Sequence, residues 1–213
     1  MFTLTQEVFT PETHFESNAE ERVNFIFNGK ITLQTIKDCM LKAYSKRADT
    51  SVYNLDTVPN TYFYHEFQSS ISEELCKHGW THKKVKNYPL CVSPDKKIVV
   101  IFGTGSEGTG QNTDVMPTLN KGKLGIMAVN TINESFDFSK DLTVYMILFK
   151  PEDEAIYCEI SIPDKIVGNK IEGWKERNLL PVMYTTKPGP ISPNKETTDK
   201  DDSSDFEITR NAI

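Results

Sequence analysis

Arginine is scarce in this chain of 213 residues: 4 stand against 20 lysines, in a formal charge of −6. Forked cations that grip phosphates and base edges are therefore few, and the net acidity removes any general attraction to nucleic acid. The four cysteines, Cys39, Cys76, Cys91 and Cys158, form no C-x-x-C pair. A reducing, cytoplasmic setting is expected. No apolar run is longer than Val144–Phe149, far short of the roughly 20 residues that span a bilayer. The opening MFTLTQEVFT has neither the basic nor the apolar region of a secretory signal. No Gly-Lys-Ser/Thr closes a Walker loop, no G-x-S-x-G elbow is present, and no kinase V-A-I-K, H-R-D or D-F-G follows the glycines. These absences leave few enzyme classes standing.

What is present suits a folded domain with a polar tail. Hydrophobic residues make up 38% and charged residues 25%, enough for a core. Thr10-Pro11 is expected to open a short amphipathic helix, with Asn28-Gly29 as the turn behind it. Thr32 caps a helix from about Leu33 to Ser45, with Leu33, Ile36 and Met40 on one face. A second helix is expected from about Thr61 to His78, carrying Phe63, Phe67, Ile71 and Leu75 and ended by Gly79. The pattern then turns strand-like. Strands are expected at Leu90–Val92, Lys97–Phe102, Leu124–Val129, Leu142–Phe149 and Ala155–Ile162, and a last one within Asn178–Tyr184. Leu142–Phe149 is apolar on both faces and belongs at the sheet centre. Gly168-Asn169 reads as a tight turn. The order predicts an α+β fold: N-terminal helices packed on one face of a mainly antiparallel sheet. Residues 1–186 form one domain in this reading, and 187–213 a flexible acidic tail in which Phe206 and Ile208 stand within acidic surroundings.

Several constellations bear on chemistry. Gly103-Thr104-Gly105-Ser106-Glu107-Gly108 spells G-x-G-x-x-G after a strand. No helix pattern follows it, Glu107 would repel a phosphate, and no ribose-binding acid ends the next strand, so a dinucleotide site is not expected. The loop reads as mobile, with glycines serving tight turns. A pocket of Gly105, Glu107, Trp174, Glu176 and Arg177 is the candidate small-molecule site, with Glu107 as acid or base and Arg177 and Lys97 holding an anion. Cys76, His78, His82 and Cys91 are ligand types, but C-x-H-x3-H-x8-C matches no common zinc spacing. Between residues 77 and 97 six lysines face Asp95 alone, with Trp80 and Tyr88 interleaved. Lys83, Lys84, Lys86 and Lys97 are the candidate anion or nucleic-acid contacts. A metal-dependent nuclease pattern fails, because no acid lies between Glu74 and Asp95-Lys96-Lys97.

The segments Ser93-Pro94-Asp95 through Thr104-Gly105-Ser106-Glu107-Gly108-Thr109-Gly110, and Ile171-Glu172-Gly173-Trp174-Lys175-Glu176-Arg177 with Leu179-Leu180-Pro181, resemble an uncharacterised family of small bacterial and mobile-element proteins. The resemblance covers about residues 75–182 and implies a bacterial or phage setting, with no activity attached. The lysine-rich composition also fits an AT-rich genome. The sequence therefore predicts a soluble, non-catalytic protein that binds a macromolecule. A protein partner is expected, with nucleic-acid binding and self-association left open as alternatives. No cofactor, metal or membrane is expected. The alternative is an enzyme built on the Gly103–Gly110 loop.

Overall fold

The computed structural model describes residues 10–51, 53–119, 123–136, 142–167 and 170–185. The expected turn at 168–169 and the acidic tail lie outside the described residues. The described chain folds into four α-helices and eight strands. In order they are β1 (Glu12–His14), α1 (Ala19–Ile26), α2 (Leu33–Ala48), α3 (Val58–Lys77), β2 (Thr81–Val85), β3 (Tyr88–Val92), β4 (Ile98–Thr104), α4 (Lys123–Phe136), β5 (Thr143–Pro151), β6 (Ala155–Val167), β7 (Lys170–Leu179) and β8 (Met183–Tyr184). All strands join one sheet in the order β1-β7-β6-β5-β4-β3-β2, with β8 beside β6. Only β1–β7 and β4–β5 run parallel. The fold is α+β with a mainly antiparallel sheet, as the element order predicts.

Local chemistry accounts for the helices. The Thr32 side chain accepts from the Thr35 amide at 3.1 Å and starts α2. α3 begins at Val58, before the expected Thr61, because Pro59 suits a first turn that needs no amide donor. Gly79, at φ +84°, ends α3, and the Trp80 amide returns to the Leu75 carbonyl.

The strand β5 divides the core. Tyr145, Ile147 and Phe149 join Val100, Phe102, Ile156, Cys158 and Ile160 under α1–α3. Val144, Met146 and Leu148 join Leu90, Val99, Ile101 and Trp174 under α4. Both faces of the sheet are thus covered, where the sequence suggests cover on one. The missing layer is the segment Leu124–Val129, expected as a strand and found inside α4. Its run of apolar residues carries no period by itself. The buried set Ala128, Val129 and Ile132 has helical spacing, while Leu124 and Ile126 face out. Two further differences lie at the edges. Glu12–His14, expected to be helical, pairs in parallel with Glu176–Asn178. The lysine-rich Thr81–Val85 forms the other edge as β2, paired only with β3 among the described residues.

The cysteines test this layering. All four are unpaired, and only Cys76 is exposed. Burial pushes the thiols of Cys39 and Cys91 up to about 11 from 9.0. Iodoacetamide at neutral pH is expected to label Cys76 alone in the native protein, read by peptide mass. The neutral thiols' contribution to stability is complete below the unfolded value of 9.0 and is lost as pH rises toward 11. Denaturant titrations should therefore show stability constant to about pH 9 and falling above it, by roughly 2–3 kcal/mol per buried thiol.

Candidate functional site

The glycine-rich loop and the residues predicted around it form a closed internal clamp. Glu159 projects from β6 and Arg177 from the adjacent part of β7, toward the α4 side of the sheet. Glu159 is 0% and Arg177 2% exposed. The Arg177 guanidinium donates to both carboxylate oxygens, through Nη2 and through Nε at 3.2 Å. Ser161 Oγ donates to the same carboxylate at 2.7 Å. The loop completes the shell: the Gly110 amide donates to Glu159 Oε2 at 2.7 Å, and Arg177 Nη2 donates to the Gly108 carbonyl at 2.9 Å. Trp174 Nε1 donates to the Pro117 carbonyl at 2.8 Å and fastens the far side of the loop. A buried ion pair needs this density of extra bonds to offset the desolvation of two charges.

The glycine-rich loop thus aims the Gly110 amide, two residues beyond the G-x-G-x-x-G, at an anion, and the anion is the protein's own Glu159. Gly110 explains the glycine requirement. Its φ is +64°, and a Cβ there would lie 2.7 Å from the Cys158 amide nitrogen. Gly105, Gly108, Thr109 and Gly110 are all buried, so the loop expected to be mobile is a packed layer.

Of the candidate pocket residues, the structure brings Gly105, Trp174 and Arg177 to this clamp. Glu107 is on the same loop but exposed. Glu176 faces the opposite side, where Arg22 of α1 and Asn178 both bond to Oε1. A register shift between Ile162 and Pro163 opposite Glu176 and Trp174 creates this division. In a regular strand, residues 174 and 177 would face opposite ways; the bulge turns both to one side. Lys97 sits at the β3–β4 turn, where Asp95 accepts from Ser93 Oγ at 2.6 Å and from the Lys97 amide at 3.1 Å. These bonds hold the Asp95 carboxyl below its usual value, the Ser93 bond contributing most.

The open site lies elsewhere. A groove of about 550 Å³ runs between α3, β2, β3 and the start of α4. His82 and Lys84 form its β2 wall, Gln68, Ser72, Glu73 and Cys76 its α3 wall, and Tyr64 and Leu124 line it too. Behind it the Tyr64 and Tyr88 hydroxyls are buried without a hydrogen bond of ordinary geometry. Burial is the main cause raising both phenols; the neighbouring Tyr64 raises Tyr88 further, while Tyr88 offsets part of the rise at Tyr64. Beside the groove, β2 is exposed at four of its five positions. Sequence reasoning singled out Lys83 and Lys84 but saw neither the strand nor the groove.

The other constellations resolve differently. Cys76 and His82 share the groove, while Cys91 is buried and His78 caps α3. Among the described residues the group close enough to share a metal ion is Glu12, His14 and Glu176, and Arg22 already supplies its cation. Trp80 packs on Phe27 with ring centroids 5.9 Å apart, and Tyr88 is 0% exposed, so neither offers a stacking face. Lys77 pairs with Glu74, and Lys86 with Glu134. No helix among the described residues is long and apolar enough to cross a membrane. Compared with known proteins, the chain matches no family model and no curated sequence.

The clamp predicts a non-additive pair. Arg177→Met alone strands the Glu159 carboxylate and should destabilise the protein by about 3–5 kcal/mol; Glu159→Gln should cost a similar amount. The double variant should be more stable than Arg177→Met. Urea unfolding of the three variants checks this, and simple additivity would contradict a shared buried pair.

Proposed function

We propose that the chain is a non-catalytic binding protein that takes up an extended acidic segment of a protein partner along β2 and the adjoining groove. The observation that carries this reading is the β2 edge itself. Among the described residues its backbone pairs on one side only, its residues Thr81–Lys84 are exposed, and a groove opens along it. An added strand would satisfy the free backbone groups while alternate side chains enter the groove. Lys83 and Lys84 have no ion pair among the described residues, so they favour an acidic strand and oppose a neutral one. The unpaired cysteines and lysine-rich composition support a cytoplasmic setting in a bacterium or its phages.

Protein is favoured over nucleic acid for three reasons. The two aromatics of the basic stretch are buried, two of its lysines are already paired, and Lys96 and Lys97 sit at the opposite end of the hairpin from Lys84. The catalytic alternative loses its central residue, because the Arg177 guanidinium is committed to Glu159 and the loop carbonyls.

A fluorescent ten-residue peptide alternating Asp with Phe or Ile, and a single-stranded oligonucleotide of similar charge, separate these readings by anisotropy. The peptide should bind, weaken with added salt, and lose affinity at least about tenfold in the Lys83→Glu/Lys84→Glu protein. Oligonucleotide binding without peptide binding would transfer the site to nucleic acid.

A further inference from the structure

We infer that the chain carries its own occupant for this edge: the acidic segment Asp199–Ile208, docked back on β2 in cis. The inference rests on the binding reading above and adds its regulation.

Four observations converge. The first is charge. The segment reads Asp199-Lys200-Asp201-Asp202-Ser203-Ser204-Asp205-Phe206-Glu207-Ile208, five acids against one base. It complements Lys83 and Lys84, which have no acid of their own among the described residues.

The second is periodicity. Asp205 and Glu207 alternate with Phe206 and Ile208. In an added strand the acids would lie on one face and the apolar pair on the other. β2 offers the matching division: His82 and Lys84 line the groove with Tyr64 and Leu124, and Lys83 faces away from it. With Phe206 and Ile208 in the groove, Asp205 and Glu207 fall on the Lys83 side.

The third is reach. The described chain ends at Thr185, whose amide bonds to the Glu154 carbonyl at the β5–β6 turn. The β2–β3 turn lies at this same end of the sheet, because β4 and β5 are parallel and β3 is antiparallel to β4. Four strand spacings separate β6 from β2 in the sheet order, roughly 20 Å. Thirteen residues lie between Thr185 and Asp199, which extend to roughly 45 Å. The tether spans the gap with slack.

The fourth is the exit. Glu152, Asp153 and Glu154 surround the point where the chain leaves Thr185. Lys150 and Arg47, the cations recorded there, pair with Glu152 and Asp153. The cations recorded at the exit are thus already engaged, whereas Lys83 and Lys84 have no ion pair among the described residues.

A docked tail competes with a partner segment at the local concentration set by its tether, which is about millimolar for a short flexible linker. The experiment uses the full chain throughout. A labelled peptide of residues 199–208 is titrated into the wild type, into a tail-neutralised variant (Asp199→Asn, Asp201→Asn, Asp202→Asn, Asp205→Asn, Glu207→Gln), and into that variant with Lys83→Glu/Lys84→Glu added. The neutralised variant should bind the peptide about tenfold more tightly than the wild type, and the added lysine changes should abolish the gain. Carbodiimide coupling of dilute wild type should join Lys83 or Lys84 to an acid within 199–207 in monomeric protein, read by peptide mass.

Equal peptide affinity in wild type and neutralised variant overturns cis docking while leaving the edge as a binding site. Absence of peptide binding to either protein overturns docking, and failure of the alternating peptide as well removes the edge reading with it. Binding that survives the lysine changes, or crosslinks confined to dimers, places the tail elsewhere and overturns the inference.

Discussion

The Glu159 carboxylate, buried between two strands and a loop, is the interaction on which the architecture of one sheet face depends. Its charge is met by Arg177, by the Ser161 hydroxyl and by the Gly110 amide. Each of those groups belongs to a different stretch of chain or is itself buried, so the carboxylate ties β6, β7 and the loop after β4 into one unit. Removing any member leaves polar groups without partners in a region that water does not reach. The loop in turn forms a bridge from Gly105 to Leu119, and Leu119 joins the apolar layer with Val129 and Ile132 of α4. A single ion pair thereby fixes both the polar and the apolar cover of the α4 face.

This arrangement redirects the search for function. A glycine loop that directs backbone amides to an anion is a phosphate cradle when the anion arrives from solvent. Here the Glu159 side chain takes the Gly110 amide, and the glycine-rich loop packs as part of the fold. The opposite edge of the sheet has a different character. Among the described residues β2 pairs with β3 and has no strand on its outer side; it carries Lys83 and Lys84 and borders a groove that reaches from Cys76 to Leu124. Rigid packing at the clamp contrasts with the open, charged edge at β2, which is the contact surface in the function proposed.

The legibility of these features in the sequence followed the physical range of each interaction. Thr32 and Gly79 act within one turn of chain, so the α2 start and the α3 end could be read directly. The central place of β5 followed from its two apolar faces. Leu124–Val129 could not be assigned, because six nearly continuous apolar residues carry no period and the deciding residue, Ile132, lies beyond them. Glu159 escaped notice for a related reason. Alternation placed it on the face opposite Ile160, but an acid on a strand face normally meets solvent, and its partners lie 18 and 49 residues away. The bulge opposite Ile162 and Pro163, which sets Trp174 and Arg177 on one side and Glu176 on the other, leaves no mark in residue spacing.

The central claim is that the glycine-rich loop is part of the folded scaffold and no ligand-binding flap. Amide hydrogen exchange at Gly110 tests it most directly. The account predicts that this amide exchanges with the slowest class in the protein, together with the β5 amides, because its release requires opening the buried Glu159–Arg177 pair. Exchange of Gly110 as fast as that of exposed Asn112, under conditions where β5 stays protected, would contradict it.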